Sequence, residues 1–213
     1  MSDFIVRHAV GFLLLGAGLV AASPVVGQER SFIRFDDGVL KIEGPIRPLA
    51  DQVFVNEFAA AMLATPYPEP VRIRLNSDGG GFEASKTIVQ GIRAARREGT
   101  TVIAEVPSGG RCMSACLLIF SAADERLAAA DAVFLFHGIV YTGLEPEPAR
   151  KAEIERERGE VAKEYLAMIS ASDSRLGRFL ASNRIIDQDI EIAFSGADMH
   201  QAFPEFVTGL LAP

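Results

Sequence analysis

The chain has 213 residues, 49% hydrophobic and 23% charged, an ordinary globular balance with length for one domain and a sizeable core. Its formal net charge of −7, with no basic stripe, argues against a nucleic-acid partner. Only two cysteines and three histidines are present, so any chemistry built on them has few candidates.

Taken in order, Arg7 and His8 precede an almost wholly apolar run over residues 9–22, and Val25, Val26 and Gly27 stand before Gln28. That layout predicts a secretory signal peptide over 1–27, cleaved after Gly27, followed by a single domain over 28–213. The alternative is an uncleaved membrane anchor over 9–26, a run barely long enough to cross a bilayer and interrupted by Pro24. Either way the folded part is expected outside the cytoplasm, in the periplasm or a similar extracytoplasmic space.

Residues 31–35 and 39–42 alternate in polarity around Asp36-Asp37-Gly38, a hairpin signal. Asp51 opens a helical pattern through Val53, Phe54, Phe58, Met62 and Leu63, stopped by the prolines at 66, 68 and 70. Residues 71–75 alternate and lead into a turn over 76–81. An amphipathic helix is then expected over 82–97, with Ala84, Ile88, Ile92 and Ala95 on one face, ended by Gly99. Next come a strand over 101–106, a loop over 107–111, a small apolar helix over 114–122 and a strand over 132–136. Strand and helix alternate at short spacing, which predicts an α/β fold with a mainly parallel sheet. Right-handed crossovers would bring the C-terminal ends of these strands to one edge, where α/β sites lie.

Residues 145–164 hold seven acidic and five basic side chains, while Ile154, Val161, Tyr165, Met168 and Ile169 form a narrow apolar stripe. The pattern fits a solvated helix docking by one edge, and such a stripe also suits a partner subunit. Ser172 or Asp173 is placed to cap a second helix carrying Leu176, Phe179 and Leu180. The chain shows no internal repeat.

Three segments share the expected strand edge. Gly79-Gly80-Gly81, after a strand and before a helix, lets the backbone turn sharply and offer free amides beside a helix N-terminus. A phosphate site is the competing use, but neither nucleotide-binding glycine fingerprint is present, and no cofactor is implied. Glycine turns are more often structural than catalytic, so the case rests on what stands beside it. Ser114, within Gly109-Gly110-Arg111-Cys112-Met113-Ser114-Ala115-Cys116, lies at a loop-to-helix junction among small residues. There a hydroxyl can point into a cleft and the Ala115 amide can help hold an oxyanion. His137 ends an apolar strand at the same edge, whereas His200 sits among polar residues and reads as surface. An imidazole base needs an orienting acid, and Asp187, Asp189, Glu191 and Asp198 all qualify by position. Spacing does not choose among them.

Cys112 and Cys116 have two readings of equal weight. An exported chain permits a disulfide, and an i,i+4 helical pair has Cα atoms about 6 Å apart, within bridging range. Two small buried thiols are the other reading. A zinc site would need ligands this neighbourhood lacks, and no metal is expected.

The pieces Leu40-Lys41-Ile42-Glu43-Gly44-Pro45-Ile46, Leu75-Asn76-Ser77-Asp78-Gly79-Gly80, Cys112-Met113-Ser114-Ala115-Cys116, Arg126 to Ala132 running into His137, and Phe194-Ser195-Gly196-Ala197-Asp198 stand in a recognisable order. Together they resemble the Clp protease proteolytic subunit (ClpP)/crotonase superfamily, and most of all its exported ClpP-like members with a C-x-S-A-C nucleophile turn. The resemblance spans roughly residues 38–205. It implies a spiral of ββα units with a C-terminal helical handle matching 145–169, used in assembly, and hence a homo-oligomer. It also implies a triad with Ser114 as nucleophile, His137 as general base and Glu191 as the acid, with the Gly80 and Ala115 amides as oxyanion hole. The family has Asp where Glu191 stands, which keeps Asp189 and Asp187 in play. Asp78 replaces the family's proline and sets a carboxylate next to the oxyanion position.

The leading expectation is an exported serine peptidase acting on peptides or unfolded polypeptide. Two alternatives stand beside it. One is a catalytically silent scaffold or binding protein on the same fold. The other is a Ser-Lys enzyme like the signal-peptide peptidases, with Lys151 or Lys163 as base. Crotonase-type acyl-CoA chemistry does not suit an exported address.

Overall fold

A computed structural model describes residues 32–47, 50–66, 68–139, 148–188 and 190–212. The expected leader over 1–27 lies outside them, as does Asp189. Among the described residues no helix is long and apolar enough to cross a membrane.

The hairpin joins β1 (Phe32–Asp36) to β2 (Val39–Glu43). Its two turn residues, Asp37 and Gly38, both have positive φ (51° and 74°), the geometry that matches strand twist in a two-residue loop. Helix α1 (Ala50–Ala64) follows, burying the stacked rings of Phe54 and Phe58. Its Glu57 carboxylate accepts from the Phe35 amide at 2.6 Å, which covers one donor of the edge strand β1. Strand β3 (Val71–Asn76) runs through the glycine turn into α2 (Phe82–Arg97), and β4 (Val102–Val106) follows.

The chain continues through β5 (Arg111–Met113), α3 (Cys116–Ser121), β6 (Glu125–Ala128) and β7 (Val133–His137). Helices α4 (Pro148–Ser172) and α5 (Ser174–Ser182) come next, then β8 (Glu191–Ser195), α6 (Gly196–Ala202) and β9 (Gly209–Leu210). Asp173 caps α5, its Oδ1 accepting from the amides of Arg175 and Leu176 at 2.8 and 3.0 Å.

The strands form two sheets. The larger has the order β1-β2-β3-β4-β6-β9, parallel from β2 onward with β1 antiparallel at its edge. All five residues of β4 are buried, as expected of a strand in the middle of a parallel sheet covered on both faces. The smaller sheet has the order β5-β7-β8, with β5 and β7 parallel and β8 antiparallel to β7. The fold is therefore α/β with mixed, mostly parallel sheets and six helices among the described residues.

A bridge between Ser77 and Cys112 joins the two sheets just past the end of β3. Ser77 is fully buried there, its amide donating to the Arg111 carbonyl (2.7 Å) and its carbonyl accepting from Met113 (3.0 Å). Its hydroxyl donates to the Gly44 carbonyl (2.6 Å) and accepts from the Gly79 amide (3.1 Å).

Two sequence expectations need correcting here. The loop expected over 107–111 ends in strand β5, because Arg111–Met113 pair with Val133–Leu135. The helix expected from 114 starts at Cys116, because Ser114 has φ +52°, outside helical conformation.

Candidate active site

The glycine turn is shaped by a close approach of backbones. Ile46 donates to the Gly79 carbonyl and accepts from the Gly81 amide, both at 2.7 Å. Gly79 and Gly80 have φ of +87° and +137°. A Cβ on Gly80 would stand 2.2 Å from the Ile46 carbonyl oxygen. One on Gly79 would stand 2.7 Å from the Ser114 Cβ and 3.0 Å from the Ala115 nitrogen. Only glycine fits this contact, and it brings the glycine turn directly against the serine turn. Among the described residues, neither the Gly80 nor the Ala115 amide has a hydrogen-bond acceptor.

Ser114 occupies the turn between β5 and α3. Its amide donates to the Leu135 carbonyl of β7 at 2.9 Å, and its carbonyl accepts from the Leu117 amide at 3.0 Å. A second donor to that carbonyl is the Tyr165 hydroxyl, from α4, at 3.2 Å. Cys112 and Cys116 are joined by a disulfide, with Cα atoms 5.3 Å apart and both residues fully buried. The bridge spans strand end to helix start across Ser114, rather than one turn of a single helix as the spacing alone suggested.

His137 ends β7, half-buried, and its Nδ1 lies 2.6 Å from the Gly138 carbonyl oxygen. A carbonyl only accepts, so Nδ1 carries the proton and the neutral ring presents the lone pair of Nε2. That is the tautomer a general base requires. Glu191 is the register partner of His137 on β8. Residues directly opposite in an antiparallel pair share a face with Cβ atoms about 4.5–5.5 Å apart. The Glu191 carboxylate is exposed, and neither it nor the Ser114 hydroxyl has a hydrogen-bond partner among the described residues.

The other acids are engaged elsewhere. Asp187 pairs with Arg184 at 3.1 Å, and Asp198 accepts from the Ser195 hydroxyl at 2.7 Å in the capping box of α6. Lys151 and Lys163 are exposed on α4. His200 is half-buried rather than free on the surface, its Nδ1 donating to the Val207 carbonyl at 2.8 Å.

Asp78, the carboxylate beside the glycine turn, is gripped by the Arg111 guanidinium through both oxygens, one contact being 2.9 Å. Ser77, Arg111 and Tyr165 thus shape the site without having been singled out as site residues. The only prior signals were that Asp78 set a carboxylate next to the expected oxyanion position and that Tyr165 lay in an apolar stripe.

Glycine turn, serine turn and histidine all lie at the C-terminal ends of parallel strands that neighbour one another: β3, β5 and β7. Chemically, the arrangement gathers a hydroxyl on a left-handed turn, an imidazole, a carboxylate and two amides, the Nε2, carboxylate and amides having no partner among the described residues. No known family model matches the chain, and no curated protein matches it.

Proposed function

We propose that the protein is an exported serine hydrolase of ClpP/crotonase type, a peptidase acting on peptides or unfolded polypeptide. The observation that carries this reading is Ser114 at φ +52° with Gly79 packed against it and the Gly80 and Ala115 amides left without acceptors among the described residues. A serine forced outside helical and extended conformation, next to unpaired amides, is what an acyl-transfer turn needs.

In the proposed reaction the Ser114 Oγ attacks the scissile carbonyl carbon while its proton passes to Nε2 of His137. The carbonyl oxygen, now negative, accepts from the Gly80 and Ala115 amides. Collapse breaks the C–N bond, and the proton on Nε2 goes to the departing amine. Water, deprotonated by the same nitrogen, then releases the acid and restores the serine. Glu191 is the triad acid on this reading, since of the described candidates it alone is both unpaired and across from His137.

The test is labelling of the mature protein by a fluorophosphonate probe. Uptake at Ser114, lost in Ser114→Ala and His137→Ala, is the expected result. Folded protein that takes up no probe overturns the reading.

One observation favours a second reading, a binding protein without turnover. The Ser114 hydroxyl is not hydrogen bonded to His137, and Nδ1 of that ring is held by a backbone carbonyl instead of a carboxylate. Peptides that raise the melting temperature yet stay intact on long incubation would select it. The Ser-Lys variant has no such support, because both lysines stand exposed on α4. Export rests on the leader-like residues 1–27 and on the disulfide, which belongs to oxidising compartments.

A further inference from the structure

We infer that Tyr165 is a positioning residue for the nucleophile: from α4, its hydroxyl holds the Ser114 carbonyl, so the docking of that helix sets the serine's reactivity. The inference rests on the serine-hydrolase reading and names a residue that reading does not use.

A non-glycine residue at positive φ is strained and persists only where its surroundings over-determine it. At Ser114 most of the restraint is local or comes from the adjoining strand. The Leu135 carbonyl holds the amide, the Leu117 amide reaches the carbonyl, and the disulfide closes residues 112–116. The Tyr165 hydrogen bond differs in kind, since it comes from a helix 51 residues away in sequence.

Tyr165 is only 3% exposed, and a buried phenol needs a partner for its hydroxyl. The Ser114 carbonyl is that partner. Burial also pushes the phenol's pKa up, so it remains a protonated donor throughout the working range of any hydrolase.

The preceding residue ties α4 to the other half of the site. Glu164 pairs with Lys86 at 2.9 Å, and Lys86 lies in the second turn of α2, the helix that leaves the glycine turn. Consecutive residues of α4 thus hold the serine turn and the oxyanion-side helix together. A shift of α4 would loosen both, and misplacement of reacting groups by about 1 Å can cost a hundredfold in rate.

The experiment is Tyr165→Phe, which removes one oxygen and keeps the ring packing. Probe labelling at Ser114 is followed to completion, and peptide hydrolysis is followed for kcat and KM. Expected are an unchanged labelling end point, a second-order rate lower by about tenfold, kcat reduced to match and KM unaltered. A purely structural role would instead lower the end point while the remaining sites react at the wild-type rate, and that result overturns the inference. So does an unchanged rate. Hydrogen exchange at the Leu117 amide, whose acceptor is the Ser114 carbonyl, supplies a readout free of activity. Faster exchange in Tyr165→Phe is expected. Should wild-type protein take up no probe, the hydrolase reading falls, and this exchange measurement alone decides whether Tyr165 holds the turn.

Discussion

Gly79→Ala probes the contact on which the candidate site depends. The added Cβ would stand 2.5 Å from the Met113 carbonyl oxygen, 2.7 Å from the Ser114 Cβ and 3.0 Å from the Ala115 nitrogen. All three belong to backbone or to a Cβ, so none can swing aside. Two penalties add. Placing an L side chain at φ +87° costs about 1–2 kcal/mol, and crowding a packed contact costs about 1–3 kcal/mol. Together they predict a loss of about 2–5 kcal/mol in urea unfolding. Gly99→Ala is the control, because Gly99 has φ +96° with nothing within 4 Å of its would-be Cβ. It carries the backbone penalty alone, and the stiffening of the unfolded chain by alanine is common to both variants. The difference of about 1–3 kcal/mol therefore isolates the crowding. Relief of the clash must push Ser114 or Ala115 aside, so probe labelling in Gly79→Ala should fall at least about tenfold, with Gly99→Ala unaffected. Equal stability of the two variants, with labelling intact in both, would refute the close approach of the two turns.

Replacing Cys112 and Cys116 together by alanine should cost about 2 kcal/mol from the short closed loop. The native protein should release no thiol to an alkylating reagent until denatured with reductant, and two free thiols in the folded state would contradict the bridge. Arg126 donates to the carbonyls of Ala123, Asp124, Glu205 and Phe206 and so pins the C-terminal segment. Arg126→Met should lose about 3 kcal/mol and speed exchange at the Thr208 and Leu211 amides; protection left intact there would refute the pin. Asp131 accepts from the Ser108 hydroxyl and the Gly109 amide, which hold its carboxyl below the usual range. A depressed folded pKa gives stability that is present above the unfolded carboxyl pKa of about 3.9 and lost as pH falls through the folded value. Asp131→Asn should therefore flatten the acid limb of the stability profile, and an ordinary carboxyl titration at Asp131 by NMR would sink the claim.

Elements with strong local signals were legible in the sequence. The Asp37-Gly38 turn, α1, β3, α2 and β4 each combine a clear period with a stop or turn residue of known physics. Strands β5 and β6 were not. Arg111-Cys112-Met113 and Glu125-Arg126-Leu127-Ala128 carry no alternation of their own, and both exist because a parallel neighbour supplies their hydrogen bonds. The start of α3 was misplaced for a related reason. Serine has no preference for positive φ, so only the sheet pairing and the bridge across it reveal that Ser114 leaves the helix. The convergence of the glycine turn, Ser114 and His137 at one edge did follow from chain order and crossover handedness alone. What spacing left open was which carboxylate stands by His137, and strand register sets Glu191 opposite it, while Asp187 and Asp198 are spent on Arg184 and a helix cap.

The Asp78–Arg111 fork bears on the electrostatics of the site more than on the fold. Both side chains are roughly half exposed, at 40% and 46%, and exposed ion pairs contribute little to stability. Yet the position matters. Asp78 immediately precedes Gly79 and Gly80, and a lone carboxylate there would oppose negative charge forming beside the Gly80 amide. Arg111 lies at the start of β5, held across from Val133 by strand pairing, and its amide donates to the Asn76 side-chain oxygen at 3.2 Å. The segment that delivers Ser114 therefore also delivers the cation that cancels Asp78. A proline at that position would bring no charge to balance; the aspartate does, and the strand that leads into the serine turn supplies its partner.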